Sequence, residues 1–300
     1  MSGSVLVTGG LGFIGSHLCG ALLDEGYAVR CVDDLSGRYA PTTGPAAAVA
    51  LASRGAEILA EPARPAHVRG VQAVIHLAGL PGVRAKHPGA HLLETNVSLP
   101  ERLALAARAQ GARFVLISSS SVYGNARIVP TPEHAPPAPL NPYAASKMAA
   151  ERAVLGSGGD AVIVRPFTVY GPGQRPEMAF ARWIAAIDAG EPVRWHAAPG
   201  TARDFTYVDD AVAGIVAALR HGEAGEAYNV SGWRTTGLRE ALELLGDATV
   251  TELRPSSADA LVTSGCGRRA AAELGYAPAV ELADGVERQL AAAIPRSIAA

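Results

Sequence analysis

The chain of 300 residues contains little cysteine, little lysine and few aromatic side chains, and it has no long apolar run. Its three cysteines, Cys19, Cys31 and Cys266, show neither CxxC spacing nor a disulfide framework. No apolar stretch approaches the roughly eighteen residues that a membrane-spanning helix needs, so we expect no membrane partner. A strand-like pattern begins at Ser4, which leaves no room for a signal peptide. These absences predict a soluble cytoplasmic protein.

An excess of either charge is also absent, because 26 basic residues balance 28 acidic ones and give a net charge of −2. A nucleic-acid-binding surface needs a clustered basic excess, so we expect no nucleic acid partner. The histidines, His76 among them, fit no metal-ligand spacing, and we expect no metal. Only Lys86 and Lys147 are lysines. A motif that requires lysine is therefore informative in this chain.

Short apolar runs alternate with helix-like segments in the first half of the chain. The predicted strands cover residues 4–8, 28–33, 56–59, 73–78, 114–118 and 161–165. The predicted helices between them cover residues 12–25, 91–110 and 141–155. This alternation predicts βαβ units and an α/β fold with a Rossmann-like, doubly wound parallel sheet.

The pattern becomes mixed beyond about residue 170. Helices are predicted at residues 176–189, 208–219 and 282–293, with a strand near residues 192–196. We therefore predict a Rossmann domain over residues 1–170. Residues 171–300 are predicted to form mainly a smaller mixed α/β lobe that is interwoven with that domain.

A glycine-rich turn follows the first predicted strand, with Gly9, Gly12 and Gly15 opening a helix. Small residues at this spacing form a tight turn and let backbone N–H groups approach a pyrophosphate. Asp33 ends the second strand, where a carboxylate accepts both adenosine ribose hydroxyls and repels a 2′-phosphate. The pattern therefore predicts NAD as cofactor and residues 1–170 as its binding domain. Arg30 and Arg38 flank the site and leave NADP open, and an ordinary glycine-rich turn is the alternative interpretation.

Tyr143 and Lys147 are separated by one helical turn, which places both side chains on one face of a predicted helix. A lysine ammonium near a phenol stabilises the phenolate and lowers its pKa toward the working pH. Four consecutive serines, from Ser118 to Ser121, end the fifth predicted strand. Ligands bind outside the carboxyl ends of such strands, so these hydroxyls are predicted to face the same site, although serine runs also occur in loops and caps.

Together with residues 8–15, residues 76–79, Asn96 and residues 203–210, these motifs resemble the extended short-chain dehydrogenase/reductase family. More narrowly, they resemble its NAD-dependent nucleotide-sugar epimerases, and the resemblance runs from residue 4 to about residue 290. In such enzymes a tyrosinate takes a proton from a sugar hydroxyl while NAD accepts a hydride, and the keto-sugar rotates before it is reduced. The resemblance implies that Tyr143 is the base, that Lys147 tunes it and that Ser119 bonds the reacting oxygen. It also implies a homodimer formed through residues 91–110 and 141–155.

Two further stretches, residues 78–84 and 167–179, resemble UDP-glucuronate 4-epimerases. The related dehydratases and decarboxylases carry acidic residues at the strand-end motif, where this chain has Ser120 and Ser121. The resemblance therefore implies 4-epimerisation of UDP-glucuronate to UDP-galacturonate, with residues 171–300 mainly binding the UDP-sugar. A neutral UDP-hexose or UDP-N-acetylhexosamine epimerase is the enzyme alternative. A non-catalytic dinucleotide-binding scaffold or redox sensor is the alternative from another class, which the retained Tyr143 and Lys147 disfavour.

The site residues follow from the motifs and the resemblance together. Those predicted at the cofactor are Gly9, Gly12, Phe13, Ile14, Gly15, Asp33, Leu77, Ala78, Gly79, Asn96, Ser118, Tyr143 and Lys147. Those predicted at the substrate are Arg84, Ser119, Ser120, Ser121, Thr168, Arg175 and Arg203. Arg203 matches a position that binds the nucleotide diphosphate, and an ion pair with Asp204 or Asp209 is the alternative. The chain departs from the family at residues 62–63, which in the family bracket the adenine, and at residues 264–267, so we expect a substrate lid that differs from that of the family.

Overall fold

A computed structural model describes residues 3–36, 40–82 and 87–293. The strands are β1 Ser4–Thr8, β2 Ala28–Val32, β3 Glu57–Leu59, β4 Ala73–His76, β5 Arg113–Ile117, β6 Ala161–Pro166, β7 Thr168–Tyr170, β8 Val193–Trp195, β9 Ala202–Tyr207, β10 Ala227–Val230, β11 Thr235–Gly237, β12 Val250–Glu252 and β13 Val262–Thr263. The α-helices are α1 Phe13–Asp24, α2 Ala40–Ser53, α3 Gly89–Leu93, α4 Leu99–Ala109, α5 Pro142–Gly156, α6 Ala179–Asp188, α7 Val208–His221, α8 Leu238–Glu243, α9 Arg268–Leu274 and α10 Leu282–Ala293.

Seven parallel strands form the main sheet of the described chain, in the order β3-β2-β1-β4-β5-β6-β10. From β1 the chain first adds β2 and β3 on one side of the sheet and then continues on the other side with β4, whose Ile75 pairs with Val7 of β1. In doubly wound sheets this reversal opens a crevice beyond the carboxyl ends of the strands. The predicted α/β, Rossmann-like fold is confirmed.

Helices cover both faces of this sheet, because successive side chains of each strand point to opposite sides. Val5 and Val7 lie in a core shared with α1 and α7, whereas Leu6 lies in a second core with Phe114 on β5 and Leu103 on α4. All five side chains are almost fully buried. Burial on both faces explains why these strands read as continuous apolar runs in the sequence.

The smaller lobe is built on β9, which pairs with β7, β11 and β13, while β8 pairs with β12. Its core contains aromatic rings, with Phe180 lying 5.3 Å from Tyr170 and 5.2 Å from Phe205 between ring centroids. Residues beyond 170 also return to the main sheet, because β10 pairs with β6 and α7 packs against α1.

The segment predicted as one helix over residues 91–110 is helical from residue 89 to residue 109, but a π-helical turn, Glu94–Ser98, joins α3 to α4. Pro100 has no N–H to donate to the carbonyl of Asn96, so the regular hydrogen-bond ladder cannot continue there. The N–H of Leu99 instead donates to the carbonyl of Glu94. No pattern in the sequence predicts α2, whose segment contains Gly44 and Pro45, two residues that disfavour a helix.

Candidate active site

The glycine-rich turn brings the backbones of β1, α1 and the segment after β4 into close contact. Gly9 has a φ of +72°, and a β-carbon there would lie 2.7 Å from the backbone nitrogen of Ala78. A β-carbon at Gly15 would lie 2.1 Å from the carbonyl oxygen of Gly9. Gly12 caps α1 without a side-chain hydrogen bond, and the first turn of α1 has no acidic residue. Such a helix N-terminus is suited to an anionic pyrophosphate.

Asp33 directly follows β2 and lies beside this turn. Its carboxylate accepts hydrogen bonds from the N–H groups of Leu11 at 3.1 Å and Leu35 at 2.9 Å. Burial raises the pKa of Asp33, while these two bonds act in the opposite direction. The two bonds hold the carboxylate beside the glycine-rich turn.

Arg30 and Arg38 flank the predicted cofactor site and were the reason that NADP remained an alternative cofactor. Arg38 lies outside the described residues. The Arg30 guanidinium donates to Glu57 at 2.7 Å and to the carbonyls of His67 and Arg69 at 2.8 and 2.9 Å. These contacts hold Arg30 against the neighbouring strand β3 and its following turn.

Asn96, in the π-helical turn, connects the segment after β4 with α5. Its side chain accepts from the Leu80 N–H at 2.8 Å and donates to the Leu80 carbonyl and the Ser146 hydroxyl. A β-carbon at Gly79 would lie 3.1 Å from Asn96 Oδ1 and 3.7 Å from Lys147 Nζ. Gly79, a predicted cofactor residue, therefore lies beside both Asn96 and Lys147. Phe13 of α1 lies near Gly173, on a loop of the smaller lobe.

Helix α5 positions the predicted catalytic pair. Asn141 caps the helix by accepting the N–H of Ala144 at 2.9 Å, so Tyr143 falls in its first turn. Lys147 is buried and donates from Nζ to the carbonyl of Ile117, the last residue of β5, at 2.8 Å. Burial lowers the pKa of Lys147 to about 8, although the negative charge of Glu151 opposes this effect.

Tyr143 lies among the polar groups predicted to act with it. Burial raises the pKa of its phenol, whereas the positive charge of Arg175 and a hydrogen bond with Ser119 lower it. Arg175 also contacts Glu177 at 3.5 Å and the sulfur of Met178 at 3.7 Å. The structure therefore brings Tyr143, Ser119 and Arg175 together, from three different segments.

The four serines after β5 have distinct surroundings. Ser119 caps a 3₁₀ turn, Ser120–Tyr123, and its hydroxyl accepts the N–H of Ser121 at 3.1 Å. The Ser121 hydroxyl is buried and has no hydrogen-bond partner among the described residues. The Ser118 hydroxyl instead donates to the buried carboxylate of Glu151. Sequence reasoning placed Ser118 at the cofactor and did not indicate this contact.

The remaining predicted substrate residues are placed on the smaller lobe or lie outside the description. Arg84 falls outside the described residues. Thr168 begins β7 and is half-buried. Arg203, on β9, donates to the carbonyls of Ala202 at 2.8 Å and Leu261 at 3.1 Å.

The two aspartates considered as ion-pair partners of Arg203 have other contacts. The buried carboxylate of Asp204 accepts the N–H groups of Gly232 at 2.6 Å and Gly265 at 3.1 Å. Burial raises the pKa of Asp204 to about 7, against the effect of these bonds. Asp209 contacts His17 at 3.2 Å.

The segment of residues 258–266, which includes part of the predicted lid and is called the lid segment below, is bound to loops of the main domain. Leu261 donates its N–H to Asn125 at 2.8 Å, and Asn141 donates to the carbonyl of Ala258 at 3.0 Å. Thr131 bonds the backbones of Ser264 and Cys266 at 2.8 and 2.9 Å. Sequence reasoning missed these contacts, since each joins residues more than one hundred positions apart.

Comparison with known proteins decides the family. The sequence matches the NAD dependent epimerase/dehydratase family over residues 5–231. The chain belongs to this family. Relatives of the family are crystallised with NAD, and the protein is an NAD-dependent enzyme. The resemblance to extended short-chain dehydrogenase/reductase enzymes is thereby confirmed.

Individual relatives include both epimerases and dehydratases. A crystal structure of UDP-glucuronic acid 4-epimerase from Bacillus cereus, in complex with UDP-glucuronic acid and NAD, is 32% identical, with a TM-score of 0.90 over 96% of this chain and 98% of that one. An uncharacterised UDP-glucose epimerase of Bacillus subtilis is 32% identical over 318 residues, covering 96% of both chains. A dTDP-glucose 4,6-dehydratase of Streptomyces griseus is 33% identical over 314 residues, covering 97% of this chain and 94% of the relative.

No helix in the described part of the enzyme is both long enough and apolar enough to cross a membrane. Within residues 3–36, 40–82 and 87–293, no group of three or more histidine, cysteine, aspartate or glutamate side chains is arranged to hold a metal ion.

Proposed function

We propose that this enzyme interconverts UDP-glucuronate and UDP-galacturonate by epimerisation at C4, through a transient 4-keto sugar. The proposal is supported by the cluster of Tyr143, Ser119 and Lys147 beyond the carboxyl end of β5. It is also supported by the likeness to the Bacillus cereus epimerase, which covers nearly the whole of both chains.

The side chains in the turn after β5 favour epimerisation over dehydration. Ser119, Ser120 and Ser121 offer hydroxyls, and the turn contains no carboxylate that could expel water from the sugar. The buried Ser121 hydroxyl has no partner among the described residues, so it has hydrogen-bonding capacity for a polar substrate group.

The cofactor fits the glycine-rich turn, because Gly9 and Gly15 permit the close backbone contacts of a tight turn and Gly12 caps α1 without a side-chain hydrogen bond. These groups would hold the pyrophosphate, and Asp33 would hold the adenosine ribose. NAD⁺ bound there would supply a reversible hydride acceptor for C4 of the sugar.

The side chains of the enzyme perform the proton transfer. Tyr143, as the phenolate, would accept the proton of the C4 hydroxyl and later return it to the same oxygen. The hydroxyl of Ser119 would bond that oxygen throughout. Lys147 would stabilise the phenolate by its positive charge, a task that its buried position strengthens.

A uronate substrate imposes a further requirement. Oxidation at C4 makes a β-keto acid, which loses carbon dioxide when the C5–C6 bond aligns with the ketone π system. The enzyme must therefore fix the C6 carboxylate away from that alignment. Thr168 and the hydroxyls of Ser120 and Ser121 are the groups we propose for this, each bond contributing roughly 1.5–3 kcal/mol.

The decisive experiment incubates the purified enzyme with a panel of UDP-sugars and resolves the epimers formed. We expect UDP-glucuronate and UDP-galacturonate to interconvert with no net NADH, because each turnover regenerates the cofactor. Thr168→Ala should weaken UDP-glucuronate turnover more than any UDP-glucose turnover and release some UDP-pentose. Stoichiometric NADH with an oxidised sugar would identify a dehydrogenase and refute the proposal.

A neutral UDP-hexose is the second candidate substrate, favoured by the likeness to the relative named as a UDP-glucose epimerase. Equal efficiency with UDP-glucose and UDP-glucuronate would support it against the uronate. A protein that retains NAD but converts none of the sugars would instead support the non-catalytic scaffold.

A further inference from the structure

A buried ion pair lies directly behind the catalytic pair. The Glu151 carboxylate accepts two hydrogen bonds from Arg165 on β6, at 2.9 Å from Nε and 2.7 Å from Nη2. Both side chains are less than one-tenth exposed. The same carboxylate accepts the hydroxyl of Ser118, which immediately precedes Ser119. Replacing such a pair by apolar groups is often neutral for stability, so a contribution to stability does not explain why this ion pair is present.

Glu151 is also aligned with the catalytic residues along α5. Tyr143, Lys147 and Glu151 follow one another at intervals of four residues, so all three lie on one face of the helix. Glu151 bonds Ser118, and Lys147 Nζ bonds the carbonyl of Ile117. Two neighbouring turns of α5 therefore contact two adjacent residues at the end of β5.

Among the charged groups near this face of α5, Glu151 is the negative group that acts on Lys147. His76 on β4 faces Lys147, but burial lowers the pKa of His76 to about 3 and keeps it neutral. Arg165 faces Glu151 and also bonds the Tyr123 hydroxyl at 2.7 Å and the carbonyl of Glu133 at 2.9 Å. The carboxylate of Glu133 is engaged with the N–H of Asn229.

We propose that Glu151 is a positioning residue for catalysis, which keeps Lys147 protonated and fixes the Ser118–Ser119 strand end against α5. It acts through Lys147 and Ser118 and does not touch the substrate. Without its carboxylate, burial would favour loss of the Lys147 proton, and the enzyme would lose the charge that stabilises the Tyr143 phenolate.

The proposal rests on the proposed role of Lys147, but its test needs no substrate, so it can fail independently of the epimerase assignment. The chain contains only two lysines. Enzyme labelled with ¹³C at lysine Cε therefore gives two lysine side-chain signals, and Lys86→Arg identifies that of Lys147. The signal is followed through a pH titration with excess NAD⁺ in every sample.

Two variants separate charge from packing. Glu151→Gln keeps the shape and removes the charge, and we expect the pKa of Lys147 to fall by about one unit relative to wild type. Glu151→Asp keeps the charge and disturbs the packing, and the pKa of Lys147 should stay near the wild-type value. The alkaline limb of the pH–rate profile should move with the pKa of Lys147 in each variant.

A buried carboxylate elsewhere provides the matched control. Asp210 is similarly buried and accepts the N–H groups of Ala279 and Val280, on the other side of the sheet. Asp210→Asn should cost stability and leave the pKa of Lys147 unchanged. If Glu151→Gln does not fold, the double variant with Arg165→Gln removes the uncompensated guanidinium and is titrated in its place. An unchanged pKa of Lys147 in the folded variant that lacks the carboxylate would overturn the proposal.

Discussion

At the residue scale, the chemistry of the site depends on how burial and neighbouring charges act on single groups. Burial alone would keep the Tyr143 phenol protonated, and the neighbouring Arg175 and Ser119 counteract it. The same opposition operates at Lys147, where burial favours the neutral amine and Glu151 favours the ammonium. At both groups burial has the larger effect, so the pKa of the Tyr143 phenol is raised and that of the Lys147 ammonium is lowered.

Tyr143→Phe should lower turnover by about 10²–10⁴-fold, because it removes the proton acceptor and little else. Bound NAD should be retained, since the ring and α5 remain in place. Tyr228→Phe is the control, because the Tyr228 hydroxyl bonds Glu273 at 2.7 Å, remote from α5. Turnover and bound NAD are measured on the same preparations. A near-normal rate for Tyr143→Phe would show that another group is the base.

Asp204 gives a pH dependence of stability with a definite sign. Its pKa is about 7 in the fold against a usual value of 3.8, so folding takes up a proton between these values. Its contribution to the free energy of unfolding therefore decreases as the pH rises through this window and is constant above it. Relative to Asp204→Asn, wild type should lose about 2–3 kcal/mol between about pH 5 and pH 8. Chemical denaturation of both proteins measures this, and parallel pH profiles would contradict it.

At the scale of the element, the glycine-rich turn shows why a short motif can be predicted from the sequence. Its geometry depends on backbone contacts within a few residues, as at Gly15 against Gly9 and Gly10. The strands could be predicted for a similar reason, because burial on both faces marks them as apolar runs. Helix α2 could not be predicted in this way, because Gly44 and Pro45 disfavour a helix locally and its formation depends on tertiary packing.

Gly15→Ala tests the turn as a packed unit. The new β-carbon would lie 2.1 Å from the Gly9 carbonyl oxygen and 2.7 Å from the Gly10 Cα, so the turn must move. We expect a loss of about 1–3 kcal/mol in the free energy of unfolding, together with loss of bound NAD. Gly156→Ala, at the end of α5 with open space around it, should be neutral or stabilising. Equal unfolding temperatures for the two variants would contradict the packing argument.

At the scale of the whole molecule, the site is assembled from segments that the sequence order separates. Asn229 on β10 bonds the Tyr123 hydroxyl at 2.8 Å and the Thr131 carbonyl at 2.9 Å, and Thr131 holds the lid segment. No periodicity or short motif encodes such contacts, because they join residues about one hundred positions apart. The candidate catalytic residues were therefore predictable, whereas the network that positions them was not.

The predicted homodimer would form through the outer surface of α3, α4 and α5. Leu93, Leu105 and Leu155 lie on these helices and are 54%, 46% and 38% exposed. Burying such side chains against a second copy would remove apolar surface from water. We expect sedimentation velocity to give twice the protomer mass for wild type and the protomer mass for Leu105→Glu. Leu244→Glu, on the smaller lobe and 38% exposed, should remain dimeric. A monomeric wild type would contradict the dimer, and a dimeric Leu105→Glu would place its interface elsewhere.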